Sequence, residues 1–511
     1  MNLLRLIQTE SYKKGMLFSV IFNIISKGIL FLLTILVAKF FGSDIRTDIY
    51  FFVYGSMILF SGFINTIDTS VLIPESMRLR ENGGENAAMG FLNFFLRIYF
   101  LIGIAFVALM LFFGTTIFGI ISKFSADDII LYKNYFLLGS LYFLFQVLTN
   151  YLNNILTSLK FFTVPMIISG INSCIVIAVI ILLHKQYDVL SVFIGGIAAY
   201  VISLILLLVL MKKNANWNFF THTPSIQKKT WGNIVFSEMG QLATLASGFF
   251  PLFLLSGFGK GVISLMNYGK NIADIPNTII TSQLSNVSGI QLNEQAAMHD
   301  TAGINDTFLH TGKLLLFILI PVGCYLFVFA EPIVRLFYQR GGFNESAVPG
   351  AAKFLQLLGI TIFSTGINSL VTRIFIATQA IRQAFVYQLV LNSLLIAAIW
   401  IFTKYYGAYG YAYSIIAMNL VNFFTMYFIC KKLVRQIDYA ALLKYTALLF
   451  LINAAIATGL YFAAPYLHTG FLGNLIISFL VYLFILLLLN KKFHINREIG
   501  QVLQYVQKRF N

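Results

Sequence analysis

Five charged residues stand inside segments that are otherwise apolar. Lys27 lies in SKGILFLL, Asp68 in INTIDTSVL, Lys270 and Asp274 in NYGKNIADIP, and Asp48 opens the run DIYFF. An ionised side chain inside a bilayer is costly, so each is expected to face water, an opposite charge or a ligand. Lys27 reads either as a contact for an anion or as a side chain snorkelling to the headgroups. Asp48 follows Thr47 and reads as a helix N-cap. Asp68 lies deeper, where an unpaired carboxylate is not expected; it either pairs with Lys27 or binds a cation. Lys270 and Asp274 are i and i+4 on one helix face. They read as a self-neutralising pair, as a pair lining a cavity, or as both. Glu238, Gln388 and Asn392 offer the oxygen donors that a hard cation such as sodium takes. Arg373, in NSLVTRIFIAT, reads as a snorkelling side chain.

Other chemistries lack their residues. Cys174, Cys324 and Cys430 are far apart, with no CxxC or Cys/His spacing, so neither a disulfide framework nor a zinc site is indicated. The glycine clusters GFGKG (Gly257 to Gly261) and RGGF (Arg340 to Phe343) lack the following Lys-Ser/Thr of a phosphate loop. They read as tight turns, with RGGF also a hinge. No nucleophile elbow, HExxH motif or kinase signature is present. The expectation is a protein that is not an enzyme and carries no firm metal site.

The elements that position these residues follow from composition. Of 511 residues, 59% are hydrophobic and 11% charged, where a soluble domain is roughly a quarter charged. The mean hydropathy is +0.83. The expected class is therefore an all-α polytopic membrane protein. About 20 mainly apolar residues make a spanning helix. Fourteen candidates occur, from one centred near residue 29 to one near residue 480. The first, near Met16 to Phe41, is too long for a signal peptide and reads as a retained helix. The eighth, Val262 to Ile290, is rich in Asn, Ser and Thr and is expected to face a wet interior.

The net charge of +16 does not point to nucleic acid, because Lys and Arg cluster between apolar runs as positive-inside topology requires. Loops on the N-terminal side carry nineteen of them, the opposite loops six. Both termini are therefore expected in the cytoplasm of a bacterial inner membrane. The loop Gln291 to Asp306 has neither Lys nor Arg and departs from the trend. The polar link Lys212 to Trp231 divides the chain. The expected organisation is an N-lobe at 1–211, a linker at 212–231, a C-lobe at 232–435, and a final helix pair with a tail at 436–511. Paired lobes of this kind are common in transporters, with the site at their interface.

Three runs carry a family resemblance. AKFFGSDIRTDIYFF (Ala38 to Phe52) resembles the pattern A-R-x-F-G-x-x-x-x-T-D-A-F-F. NYGKNIADIP (Asn267 to Pro276) resembles Y-A-D-R-L-x-x-x-P, and PIVRLFYQRGGFNESAV (Pro332 to Val348) resembles P-I-V-x-L-x-F-x-R-G-x-F. Together and in order they are similar to the MurJ (MviN) family, lipid II flippases of the multidrug/oligosaccharidyl-lipid/polysaccharide exporter superfamily. The resemblance implies fourteen helices and a cavity lined by arginines. It also implies a sodium site between the seventh, eleventh and twelfth spans, a gating role for the Asp48 position, and an apolar tail groove on the last two spans. The arginine positions depart from the pattern: they fall at Lys27, Leu33, near Ser61, and at Asn271 beside Lys270.

The expected function is a flippase that moves lipid II or a related undecaprenyl-pyrophosphate sugar from the cytoplasmic to the periplasmic leaflet by alternating access. Lys27, Asp48, Asp68, Lys270 and Asp274 are its expected substrate-binding residues, on spans 1, 2 and 8 of a V-shaped cavity that span 7 also lines. Glu238, Gln388 and Asn392 would hold a sodium coupling ion. The expected partners are the lipid-linked oligosaccharide and membrane lipids, with no nucleic acid, and the chain is expected to be a monomer. A small-molecule exporter of the same superfamily is the alternative, and a glycan polymerase ranks below both.

Overall fold

Runs of Leu, Ile, Phe and Val leave a buried backbone with no water to bond, and a helix satisfies that backbone internally. The computed structural model is accordingly all-helical among the described residues, with one isolated bridge between Arg340 and Phe343. The structure describes residues 12–221, 226–435, 437–463, 470–496 and 499. Both termini, four of the nineteen counted charges (Arg5, Arg497, Lys508 and Arg509) and nearly all of the expected tail lie outside these residues.

Contacts divide the chain into two bodies. The first holds α1 (Tyr12–Phe41), α2 (Ile45–Ile67), α3 (Ile73–Ile121), α4 (Ala126–Leu131), α5 (Lys133–Ser158), α6 (Val164–Tyr187), α7 (Leu190–Asn214) and α8 (Lys228–Leu255). It also holds the stretch to Ser264 and the segment Arg340–Phe343. Sequence organisation set a boundary in the 212–231 link; by contact, α8 packs on α2 and joins the first body.

Within that body α5 is central, packed on α2, α3 and α7, while α1 lies on α6. Close packing in a bilayer uses small residues. A Cβ on Gly139 would meet Val53 at 2.3 Å, and one on Gly196 would meet the Tyr142 ring at 2.7 Å. Phe118 and Phe136 stack with centroids 3.8 Å apart where α3 meets α5. The RGGF segment docks on the α1–α2 turn: Gly342 N donates to Lys39 O at 2.7 Å. Gly42, at φ +68°, admits no side chain there, since a Cβ would lie 2.3 Å from Gly342 O.

The second body runs from Leu265 and holds the remainder of α9 (Val262–Pro276), then α10 (Ser282–Ala297), α11 (Thr301–Val328) and α12 (Ala330–Tyr338). It continues with α13 (Val348–Gly359), α14 (Ile362–Ala377), α15 (Ile381–Tyr406), α16 (Gly410–Leu433), α17 (Tyr439–Ala463) and α18 (Gly470–Phe493). Its centre is α11, packed on α10, α13, α14 and α17. Buried hydroxyls fasten the last helices. Tyr482 OH donates to Asn453 Oδ1 at 2.7 Å, and Tyr325 OH donates to Leu475 O at 2.9 Å.

Ten helical stretches of the described residues are long and apolar enough to cross a membrane, or eleven with the bent pair Glu345–Gly359 and Ile362–Ala377. Two of the ten are compound. Ile45–Ile121 contains α2 and α3, and Ile381–Leu433 contains α15 and α16. With each helix counted and the polar α9–α10 rod added, the architecture is consistent with fourteen spans. Outward-facing residues such as Phe112 and Leu182 are 75% exposed, as a lipid-facing surface requires.

Candidate functional site

The break between α2 and α3 builds the first part of the site. Pro74 offers no N–H to the carbonyl four residues back, and the helix widens into a π turn at Asp68–Leu72. Asp68 opens that turn and is 1% exposed. Tyr99 OH from α3 donates to its Oδ1 at 2.6 Å, and Asn154 Nδ2 from α5 donates to its Oδ2 at 3.1 Å. Asn154 Nδ2 also donates to Asn65 Oδ1 at 2.5 Å. Asp68 is thus held by a hydroxyl and an amide, and the pairing with Lys27 read from sequence is not formed. Lys27 is exposed on α1, next to Ser26, whose hydroxyl donates to Met166 O on α6 at 2.8 Å.

A second carboxylate stands near the first. Ser237 Oγ on α8 is 2.8 Å from Ser70 Oγ in the π turn, and the next residue, Glu238, lies within electrostatic reach of Asp68. Both Glu238 carboxylate oxygens are buried and accept no hydrogen bond among the described residues.

From Asn154 an amide ladder runs up α5. Gln146, Asn150 and Asn153 follow at i, i+4 and i+7, a spacing that puts them on one face. They line a cavity of about 410 Å³ enclosed by α1, α2, α5, α6 and α7, with Tyr54, Tyr142 and Asn172 on other walls. No Asp, Glu, Lys, Arg or His lines it. Asn150 Nδ2 donates to Ser61 Oγ at 3.2 Å, and Asn172 Oδ1 accepts from Ser203. Gln146 Oε1 and Asn153 Oδ1 are buried and accept nothing. Sequence reading missed this ladder. Its signal, amides at helical spacing, was present in QVLTNYLNN.

Asp48 corrects a sequence expectation. The N-cap of α2 is Asp44, whose side chain accepts from Arg46 N at 2.9 Å and Thr47 N at 3.2 Å, while Thr47 Oγ1 accepts from Asp44 N at 2.9 Å. Burial pushes the Asp44 carboxyl up, but hydrogen bonds from the Arg46 side chain and the Thr47 backbone outweigh it and hold it below the usual range. Asp48, one turn on, is 1% exposed and takes up the start of α9. Gly261 N donates to Oδ2 at 2.6 Å, Ser264 N to Oδ1 at 2.8 Å, and Ser264 Oγ to Oδ1 at 2.5 Å. The carboxylate satisfies helix N–H groups that would otherwise lack partners.

In the second body Lys270 and Asp274 form the i,i+4 ion pair read from their spacing, each side chain a little under half exposed. Arg373 is not a snorkelling side chain alone: it donates to Asn286 and lies across Gly289. Gln388 is exposed and Asn392 half-buried on α15. Glu238 belongs to the first body and these two to the second, so neither body assembles the three expected sodium ligands. Among the described residues no group of three His, Cys, Asp or Glu side chains is placed to hold a metal.

A family model described as "Lipid II flippase MurJ" matches residues 37–484. The chain is 24% identical over 425 residues to a probable lipid II flippase MurJ of Borreliella burgdorferi, covering 79% of this chain and 80% of that protein. A Buchnera aphidicola protein of the same description is 24% identical over 428 residues, 78% of this chain and 80% of the other. Among solved structures, a lipid II flippase MurJ in an inward closed conformation superposes with TM-score 0.74 at 21% identity, over 94% of this chain and 100% of that one. An inward-facing multidrug resistance MATE transporter superposes with TM-score 0.64 at 15% identity, over 84% and 96%. At these identities the structural likenesses establish a shared fold.

Proposed function

This chain belongs to the lipid II flippase MurJ family, and from that premise we propose that it moves a lipid-linked oligosaccharide, lipid II or a related undecaprenyl-pyrophosphate sugar, from the cytoplasmic to the periplasmic leaflet by alternating access. The observation that carries the reading is the reach of the family match, residues 37–484, over a multi-pass chain with polar side chains gathered inside its helices. The charge asymmetry between loops supports cytoplasmic termini in a bacterial inner membrane. Lys27 and the Lys270–Asp274 pair remain the proposed contacts for the charged part of the substrate. Asp68 acts through its amide and hydroxyl partners, and Asp48 as an anchor of the start of α9. Sodium as a coupling ion is supported by Glu238, whose buried oxygens are the donors a hard cation takes. A substrate drives such a cycle only through different affinities for the two access states.

Depletion of the chain in its host should raise the inner-leaflet pool of one lipid-linked saccharide, measured by mass spectrometry of extracted lipids. An unchanged pool, with new sensitivity to organic cations, would refute the flippase reading and favour a drug exporter.

A further inference from the structure

The cavity in the first body has a chemistry that the family's charged cavity does not suggest. Its volume, about 410 Å³, lies in the range of roughly 300–1,000 Å³ that small-molecule sites occupy. It is polar yet carries no charged wall. Two positions where the family pattern has arginine fall here: Leu33 lines the cavity, and Ser61 is bonded to its Asn150 wall. A phosphate would find no cation in these walls.

The unmet groups define the ligand. Gln146 is 8% exposed; the Tyr200 hydroxyl lies within hydrogen-bond reach of its amide, but its Oε1 as oriented accepts no hydrogen bond, and neither does Asn153 Oδ1. Buried acceptors of this kind call for partners. An apolar ligand would leave both desolvated. A phosphate brings acceptors, not donors. An organic cation would find no counter-charge in the walls, because no Asp or Glu lines the cavity. A neutral ring carrying hydroxyl and amide donors meets both acceptors. Its apolar faces can lie on Tyr54 and Tyr142, whose own rings sit 5.6 Å apart.

Resting on the flippase reading above, we propose that this amide- and tyrosine-lined cavity among α1, α2, α5, α6 and α7 is a subsite for a neutral sugar ring of the substrate, held through Gln146 and Asn153. The headgroup is then recognised in two chemically separate parts: the charged part by lysine, the sugar by amides.

Saturation-transfer NMR on the purified full chain in lipid nanodiscs tests this with N-acetylglucosamine as the probe, and with inorganic pyrophosphate and tetraphenylphosphonium as competitors. Saturation should reach the sugar ring protons and survive both competitors. Gln146→Leu should weaken binding about tenfold, the effect of one buried hydrogen bond that cannot be replaced. Ser169→Phe should abolish it by filling the cavity while leaving every amide in place. Size-exclusion profiles identify a misfolded variant, and the two substitutions perturb the site in unrelated ways. No transfer to the sugar from the unaltered chain, full transfer in a folded Ser169→Phe protein, or displacement by tetraphenylphosphonium would each overturn the proposal. If sugar binds but no precursor accumulates on depletion, the subsite stands and the flippase reading falls. If precursor accumulates without sugar binding, the subsite alone falls.

Discussion

Asp44 and Asp48 stand one turn apart, and only their partners tell their roles apart. The Asp44 side chain bonds backbone two and three residues on, which spacing alone suggests. Asp48 bonds Gly261 and Ser264, 213 and 216 residues away, which no local pattern can reveal. The structure therefore predicts an order of effects. Asp44→Ala removes a half-buried cap and should lower stability by about 1 kcal/mol. Asp48→Ala strips a buried acceptor from two backbone N–H groups and should lower it by roughly 2–4 kcal/mol. Melting of the two variants in detergent measures the order, and an Asp44 variant less stable than the Asp48 variant would contradict these assignments. Lys270 and Asp274 were legible for the opposite reason: their partner lies four residues away on the same helix. Asp68 was legible as an anomaly, but its partners Tyr99 and Asn154 come from other helices, and no local pattern names them.

At the level of elements, the spans were readable because a bilayer demands long apolar runs, whereas the breaks within them were not. The stretch Ile45–Ile121 is 77 residues of helix, roughly 115 Å if it were one rod, against a hydrocarbon core of about 30 Å. It must turn, and it does so at Gly84, where φ is 79° and ψ 175°. That conformation is essentially closed to residues with a side chain and costs roughly 1–3 kcal/mol when forced. Gly84→Ala should therefore lower the melting temperature although nothing lies within 4 Å of the added methyl. Gly62→Ala, inside α2 with equally open surroundings, should be neutral or stabilise by up to about 1 kcal/mol. If both substitutions behaved alike in the same thermal assay, the backbone explanation for the Gly84 turn would be lost. The amide ladder on α5 belongs at this scale too. Its i, i+4, i+7 spacing is a helical signal, yet only the fold shows that its face turns to a cavity and not to a neighbouring helix.

Over the whole molecule the question is parity. Hydropathy alone finds ten or eleven crossing stretches among the described residues, and fourteen is reached by separating the compound ones and adding α9–α10. That rod is the deciding element. It is too polar to pass a hydropathy test, with Pro276 and a second π turn at Asn277–Thr281 near its middle. The loop after it carries no Lys or Arg to mark its side. If α9–α10 crosses, the turn before it and the loop after it lie on opposite faces of the membrane, and an even count returns the chain to the side where it began. If it does not, every later span is inverted and the clusters Lys431–Lys432 and Lys491–Lys492 would face the periplasm, against the bias that sets orientation. Single cysteines decide the matter in a Cys174→Ser background, which removes the exposed native thiol. Lys260→Cys, at an exposed position in the turn before α9, should react with a membrane-impermeant maleimide in intact spheroplasts. Met298→Cys, 76% exposed beyond the end of α10 in the wild-type chain, should react only after the membrane is opened. Labelling of both positions from outside would mean that α9–α10 does not cross, and the fourteen-span topology with both ends in the cytoplasm would have to be abandoned.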